Sequence, residues 1–314
     1  MTYLKLVTPT NLAEEKEKFF SSQSYSPQFI YTWDKQTVGS VLQRNPELTA
    51  LVDALLAQDI ERIKATAAAY FDVLYRQEDI EFAQQLLSYV PPVSNGTADD
   101  VAKMLTQKLA QLAIDYKVQI VDRHGFQCRP DHTAKIIRLS RYMHLQYYSV
   151  ESIVNHELVH IIRAVNGEYL GIPPTANYLP TEEGLACLIQ DKFFTNDTGS
   201  AYQHALEYLA SLIALSGGFR DVYNFFIEQG CDINNAWLRS IRQKYGLCDT
   251  SQPGSLMKSG MYFYHEQLLK KCTKDEILRL FVGKIPSTEL SEHPTYNGLV
   301  PKHKIEALYD SLSS

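Results

Sequence analysis

Apolar residues recur at helical spacing through PELTALVDALLAQDIERIKATAAAYFDVLYRQ (46–77), and DIEFAQQLLSYV (79–90) carries the pattern on until Pro91–Pro92 stop it. PPVSNGTADD (91–100) reads as a linker, with Thr97 or Asp99 placed to cap the next helix, DVAKMLTQKLAQLAIDY. The texture then changes. KVQIVD (117–122) and AKIIRLS (134–140) are short and rich in β-branched residues, and the turn-forming RHGFQCRPDH lies between them, so they are expected to pair as strands. From Ser149 the helical period returns over 149–166, 181–194, 199–216, 219–229, 235–245 and 274–282. The Gly and Pro residues of NGEYLGIPPTANYLP exclude one continuous helix across 166–180. The reading is α+β and mostly helical, with a small antiparallel sheet among many helices.

Composition narrows the function classes. The 314 residues are 45% hydrophobic and 21% charged, an ordinary globular balance with enough chain to bury a full core. A formal charge of −6 argues against nucleic acid or an anionic membrane as the main partner. The opening MTYLKLVTPTNLAEEKEKFF lacks the apolar core of a secretory signal, and nowhere do apolar residues run long enough to span a bilayer. Five widely spaced cysteines without a C-x-x-C pair suit reduced thiols and remove a cysteine-built zinc site. A cytoplasmic protein is expected.

The chemistry concentrates in SVESIVNHELVHIIRAVNG. On a helix over 149–166, His156 and His160 stand at i and i+4 and project from one face, where two neutral imidazoles can bind a single Zn²⁺. Glu157 is turned roughly 100° from His156 and is placed to take a proton from water and return it to a leaving amine. Ile153, Leu158, Val159, Ile161 and Ile162 are left to pack the remaining faces. Asn166–Gly167 both tolerate a left-handed backbone and read as the C-terminal stop of this helix. Catalytic zinc needs a third protein ligand and an open position. TEEGLACLIQDKFF, a helix opened by Thr181, offers Glu183, and the small Gly184 and Ala186 would let helices approach closely. Its neighbour Glu182 fits the role of a carboxylate serving the helix N-terminus.

NHELVHIIRAVNG followed by TEEGLA resembles the microtubule-associated tyrosine carboxypeptidase family, with its HE-x-x-H…NG helix and later EGLA. SPQFIY (26–31), LRSIRQ (238–243), MKSGMYFY (257–264) and LFVGKI (280–285) extend the likeness in the same order, with Ser259 where that family carries Asp. The resemblance implies a zincin-like metallopeptidase that trims a C-terminal residue, often an aromatic one, from a peptide or protein tail. It implies His156, His160 and Glu183 as zinc ligands and Glu157 as base. The organisation expected is a helical region over 1–95 packed on a catalytic region over 96–314.

An exopeptidase must also hold a terminal carboxylate, best with an arginine that binds both oxygens. Arg239 and Arg242, at i and i+3, are candidates, and Arg138 and Arg141 after the strand KIIRL compete with them. That strand is the expected partner of the substrate backbone. Tyr262 falls at the family's tyrosine and is the candidate donor to the oxyanion, ahead of Tyr264. Two rival readings share these residues: a zinc endopeptidase, and an inactive binding module of the same fold.

Overall fold

The computed structural model describes residues 4–89, 95–123, 126–143, 145, 148–192, 199–293 and 295–310. The expected linker at 91–94 and the His124–Gly125 turn lie outside them. Along the chain run α1 (Leu4–Val7), α2 (Leu12–Ser21), α3 (Lys35–Arg44), α4 (Thr49–Ala57), α5 (Ile60–Phe71), α6 (Gln77–Leu87) and α7 (Ala98–Leu112). The strands β1 (Lys117–Val121), β2 (Cys128–Asp131) and β3 (Ile136–Ser140) follow, then α8 (Val150–Leu170) and α9 (Tyr178–Lys192). The rest is α10 (Gly199–Ser216), α11 (Phe219–Glu228), α12 (Ile233–Gln243), α13 (Lys258–Leu269), α14 (Lys274–Arg279) and α15 (Lys302–Asp310). The chain is mostly helical, as its pattern indicates.

These elements form two compact units, one of residues 1–87 with 204–264, the other of residues 88–203 with 265–314. In the first, Phe19, Phe219, Tyr223 and Trp237 meet edge to face or tilted, with centroids 4.9–5.2 Å apart. Here the SPQFIY stretch is explained by structure: Phe29 N–H donates to the Cys248 carbonyl, and the Tyr31 hydroxyl bonds Leu247 and Gly246. Lys244 is buried, and its Nζ lies within hydrogen-bond reach of the carbonyls of Ala214, Gly217, Gln252 and Gly254.

In the second unit α8 packs against α7, α9 and the short 3₁₀ turn Leu280–Val282. Leu105, Leu109, Ile137, Leu139, Leu158, Ile162, Leu185 and Phe281 form its core. Burying side chains of this size contributes about 1.5–3 kcal/mol each. The three strands are ordered β1-β3-β2, with β1 parallel and β2 antiparallel to β3. The sheet is therefore mixed, not antiparallel as the sequence suggests, because the segment read as a turn contains β2. Pro130 sits within β2, which is tolerated on an edge strand. KIIRL is the central strand, paired on both sides, so its backbone has no edge to offer a substrate.

The helices depart from the periodicity in several places. The 46–77 pattern divides where Gln58 turns left-handed (φ 49°) and Asp59 caps α5 through Arg62 N–H. α13, absent from the sequence reading, is buried along most of its length and has almost no polar face to reveal its period.

Candidate metal centre

α8 begins at the Ser149 cap, whose hydroxyl accepts from Ser152 N–H, and runs through Asn166–Gly167 to a left-handed Gly171. The expected stop at Asn166–Gly167 is therefore wrong, and both residues have packing roles instead. The Asn166 side chain donates to the Phe281 carbonyl and to Tyr296 Oη and accepts from Val300 N–H. Gly167 lies against Gly283, where a Cβ would stand 3.0 Å from the Ile172 carbonyl oxygen and 3.4 Å from Gly283 Cα. Leu158, Val159, Ile161 and Ile162 are fully buried, as the pattern requires.

His156, His160 and Glu183 come together. Glu183 Oε2 is 3.5 Å from His156 Nε2 and 3.6 Å from His160 Nε2. These separations are long for hydrogen bonds. They match the edge of a tetrahedron whose centre lies about 2.0–2.2 Å from each ligand atom, which is about 3.3–3.6 Å. The opposite ring nitrogens meet acceptors: Gln190 Oε1 is 2.8 Å from His156 Nδ1, and Glu182 Oε1 is 2.8 Å from His160 Nδ1. Each ring thus donates its Nδ1 proton and turns its Nε2 atom toward Glu183, an arrangement that fits a cation. These three residues can hold a metal ion. Burial opposes a charge on His156, but Cys187 and Glu183 outweigh it and raise its pKa well above the ordinary value.

Glu182 does not have the helix-terminus role that its position in the sequence suggests. α9 starts at Tyr178, not Thr181, so Glu182 lies beyond the first turn and does not serve the helix N-terminus. It is 3% exposed and bonds His160, with Lys284 Nζ 2.6 Å and Arg163 Nη1 3.4 Å from its oxygens. Burial alone would raise its pKa, but Lys284, His160 and Arg163 together hold the carboxyl far below the usual range. Arg163 is fully buried and also donates to the carbonyls of Leu280, Gly283 and Ile285. The LFVGKI segment is thereby accounted for. It receives Arg163, gives Lys284 to Glu182 and leaves room for α8 at Gly283. The signal in the sequence was an arginine and a lysine inside otherwise apolar runs, where a charge needs a partner.

Gly184 serves a helix crossing, but not the one expected. A Cβ there would stand 2.5 Å from His265 Cβ and 2.8 Å from His265 carbonyl carbon, so it is α13 that approaches α9. Gly184→Ala is expected to destabilise the protein by about 1–3 kcal/mol despite alanine's better helix propensity. A thermal melt of the variant reads the loss, and an unchanged midpoint would show that the helices part without cost.

Glu157 is half-buried and hydrogen-bonded with the Cys128 thiol of β2, whose pKa is pushed up by burial and by that carboxylate. Arg138 lies on the sheet face opposite the buried Ile137 and Leu139, paired with Asp131 at 3.0 Å. Arg239, Arg242 and Tyr262 belong to the other unit. There Arg239 donates to Glu207 at 2.7 Å, Arg242 is exposed, and Tyr262 stacks on His204 with centroids 6.4 Å apart.

No family model matches the chain. Among curated proteins it is similar to the mouse (Mus musculus) microtubule-associated tyrosine carboxypeptidase 1, 26% identical over 82% of this chain and 54% of the relative. The human (Homo sapiens) protein of that name is 27% identical over 99% of this chain and 65% of the relative. The rat (Rattus norvegicus) protein is 27% identical over 82% of this chain. The resemblance read from the motifs holds. This chain spans roughly half to two thirds of the length of these relatives. No helix among the described residues is long and apolar enough to cross a membrane, and none of the five cysteines forms a disulfide.

Proposed function

We propose that this chain is a zincin-like, zinc-dependent carboxypeptidase that removes the last residue, often an aromatic one, from a peptide or protein tail in the cytoplasm. One observation carries the reading: two imidazole nitrogens and a carboxylate oxygen converge at tetrahedral spacing beside a carboxylate, Glu157, that is outside the ligand set. The relatives, named tyrosine carboxypeptidases, support the reaction class. His156, His160 and Glu183 would hold the zinc. When bound, zinc supplies a Lewis acid that polarises the peptide carbonyl and makes water acidic enough to ionise near neutral pH.

The protein's own groups do the rest. Glu157 takes the proton from the attacking water and hands it to the departing amine, so one carboxylate serves first as base and then as acid. Glu182 and Gln190 fix the two rings with their Nε2 atoms facing Glu183. With β3 enclosed on both sides, the strand assigned to the substrate backbone is β2, whose Cys128 already touches Glu157. Tyr262 is the proposed oxyanion donor, and the terminal carboxylate is assigned to an arginine, with Arg239, Arg242 and Arg138 as candidates.

Metal analysis of the purified protein should find one zinc per chain, lost on His160→Ala. Mass spectrometry of peptides with free and amidated C-termini separates the reaction classes. Free acids should shorten by one residue and amides stay intact. Internal cleavage of both would make the protein an endopeptidase, and no cleavage with no bound zinc would make it a binding module.

A further inference from the structure

A cleft of about 820 Å³ opens along the C-terminal half of α8. Its lining includes Tyr116, Ile172, Pro173, Pro174 and Tyr178, with Thr133 from the β2–β3 turn. On α8 it extends from Arg163 and Ala164 to Gly167 and Glu168, and Gly171 closes the far end. At 1.5 Å of rise per residue this places it about 4–16 Å along the helix from His160. β2 leads to the same place. It starts at Cys128, against Glu157, and ends at Asp131, and the turn that follows lines the cleft. Three residues of strand cover about 10 Å.

That distance decides the occupant, and the inference rests on the carboxypeptidase reading above. Only one residue follows the bond that a carboxypeptidase cuts, and one residue can reach the near end of the cleft at Arg163 but not the part from Gly167 to Gly171, about 10–16 Å along the helix. A peptide lying along β2 with its last bond at Glu157 enters the cleft with residues that precede that bond. We propose that the cleft is an upstream specificity site, taking a large apolar or aromatic side chain two to four residues before the cut bond. The chemistry of the lining fits such a side chain: two tyrosine rings, two prolines and an isoleucine form its walls. Of the charged residues in the lining, Lys284 is paired with Glu182 and Arg163 is held by three carbonyls, while Lys135 and Glu168 are exposed to solvent and the half-buried His132 adjoins Tyr116.

The test uses fluorescent peptides with a constant C-terminal pair and Phe, Ala or Glu at each of the second to fourth positions before the last bond. Binding to the zinc-loaded Glu157→Gln protein is measured by anisotropy, and hydrolysis by the unmodified protein is measured in parallel. At one position Phe should bind about tenfold or more tighter than Ala. Thr133→Trp, an exposed turn substitution that fills the cleft mouth, should bring that ratio to about one with no change in thermal midpoint. Preference for Glu, no preference at any position, or a preference that survives Thr133→Trp overturns the inference. Cleft-dependent binding of peptides that remain uncut would refute the carboxypeptidase reading and leave the subsite standing. Equal cutting of every peptide would do the reverse.

Discussion

Glu157→Gln is expected to bind zinc as tightly as the unmodified protein and to hydrolyse peptide about 10²–10⁴-fold more slowly. The amide has the shape of the carboxylate but no basic oxygen, so water keeps its proton and the leaving amine receives none. The ligand atoms are untouched, because Glu157 stands off the face shared by His156 and His160 and meets Cys128 instead. Single-turnover hydrolysis combined with metal analysis separates the two effects. A variant that retained full rate would remove Glu157 from the chemistry, and one that lost zinc would show that it is a ligand.

Glu182→Ala should be the most damaging change that touches no proposed ligand atom. It leaves the Arg163 guanidinium and the Lys284 ammonium buried without their anion and frees the His160 ring to turn. Breaking a buried ion pair from one side costs about 3–5 kcal/mol, and loss of a carboxylate behind a ligand histidine weakens metal binding about 10–100-fold. Chemical denaturation with and without zinc reads both losses. The pH dependence has a definite sign. The folded-state pKa of Glu182 is depressed below its ordinary 4.5. Its contribution is therefore complete above about pH 5 and declines as acid protonates the carboxylate. Glu182→Ala should flatten the acid limb of the stability curve. A variant as stable and as acid-sensitive as the parent would mean that Arg163 and Lys284 are satisfied without it.

What the sequence made legible was whatever depends on local spacing. Two histidines at i and i+4 must share a helix face, and the apolar residues between them must be buried, so α8 and its two candidate ligands could be read directly. Glu183 was legible through the metal's need for a third donor. The partners of Glu182 were not, because Arg163, Lys284 and His160 reach it across sequence separations of 19, 102 and 22 residues that no period records. Asn166–Gly167 misled for a related reason. The pair has the local chemistry of a helix stop, yet bonds to residues 281, 296 and 300 keep Asn166 inside the helix. β2 was hidden because a four-residue edge strand containing proline carries no alternation to detect. For α13, uniform burial erased the amphipathic signature.

The dependence of α8 and α9 on residues 280–300 has a consequence for synthesis. When the ribosome has made the HELVH and TEEGLA segments, more than ninety residues remain before the lysine that neutralises Glu182 is added. A nascent chain or proteolytic fragment ending at 200 would contain every residue proposed to bind metal. It would also carry Arg163 without its three carbonyl acceptors and Glu182 without its lysine. The proposed metal loading is therefore expected to wait until residues 280–300 have joined the fold.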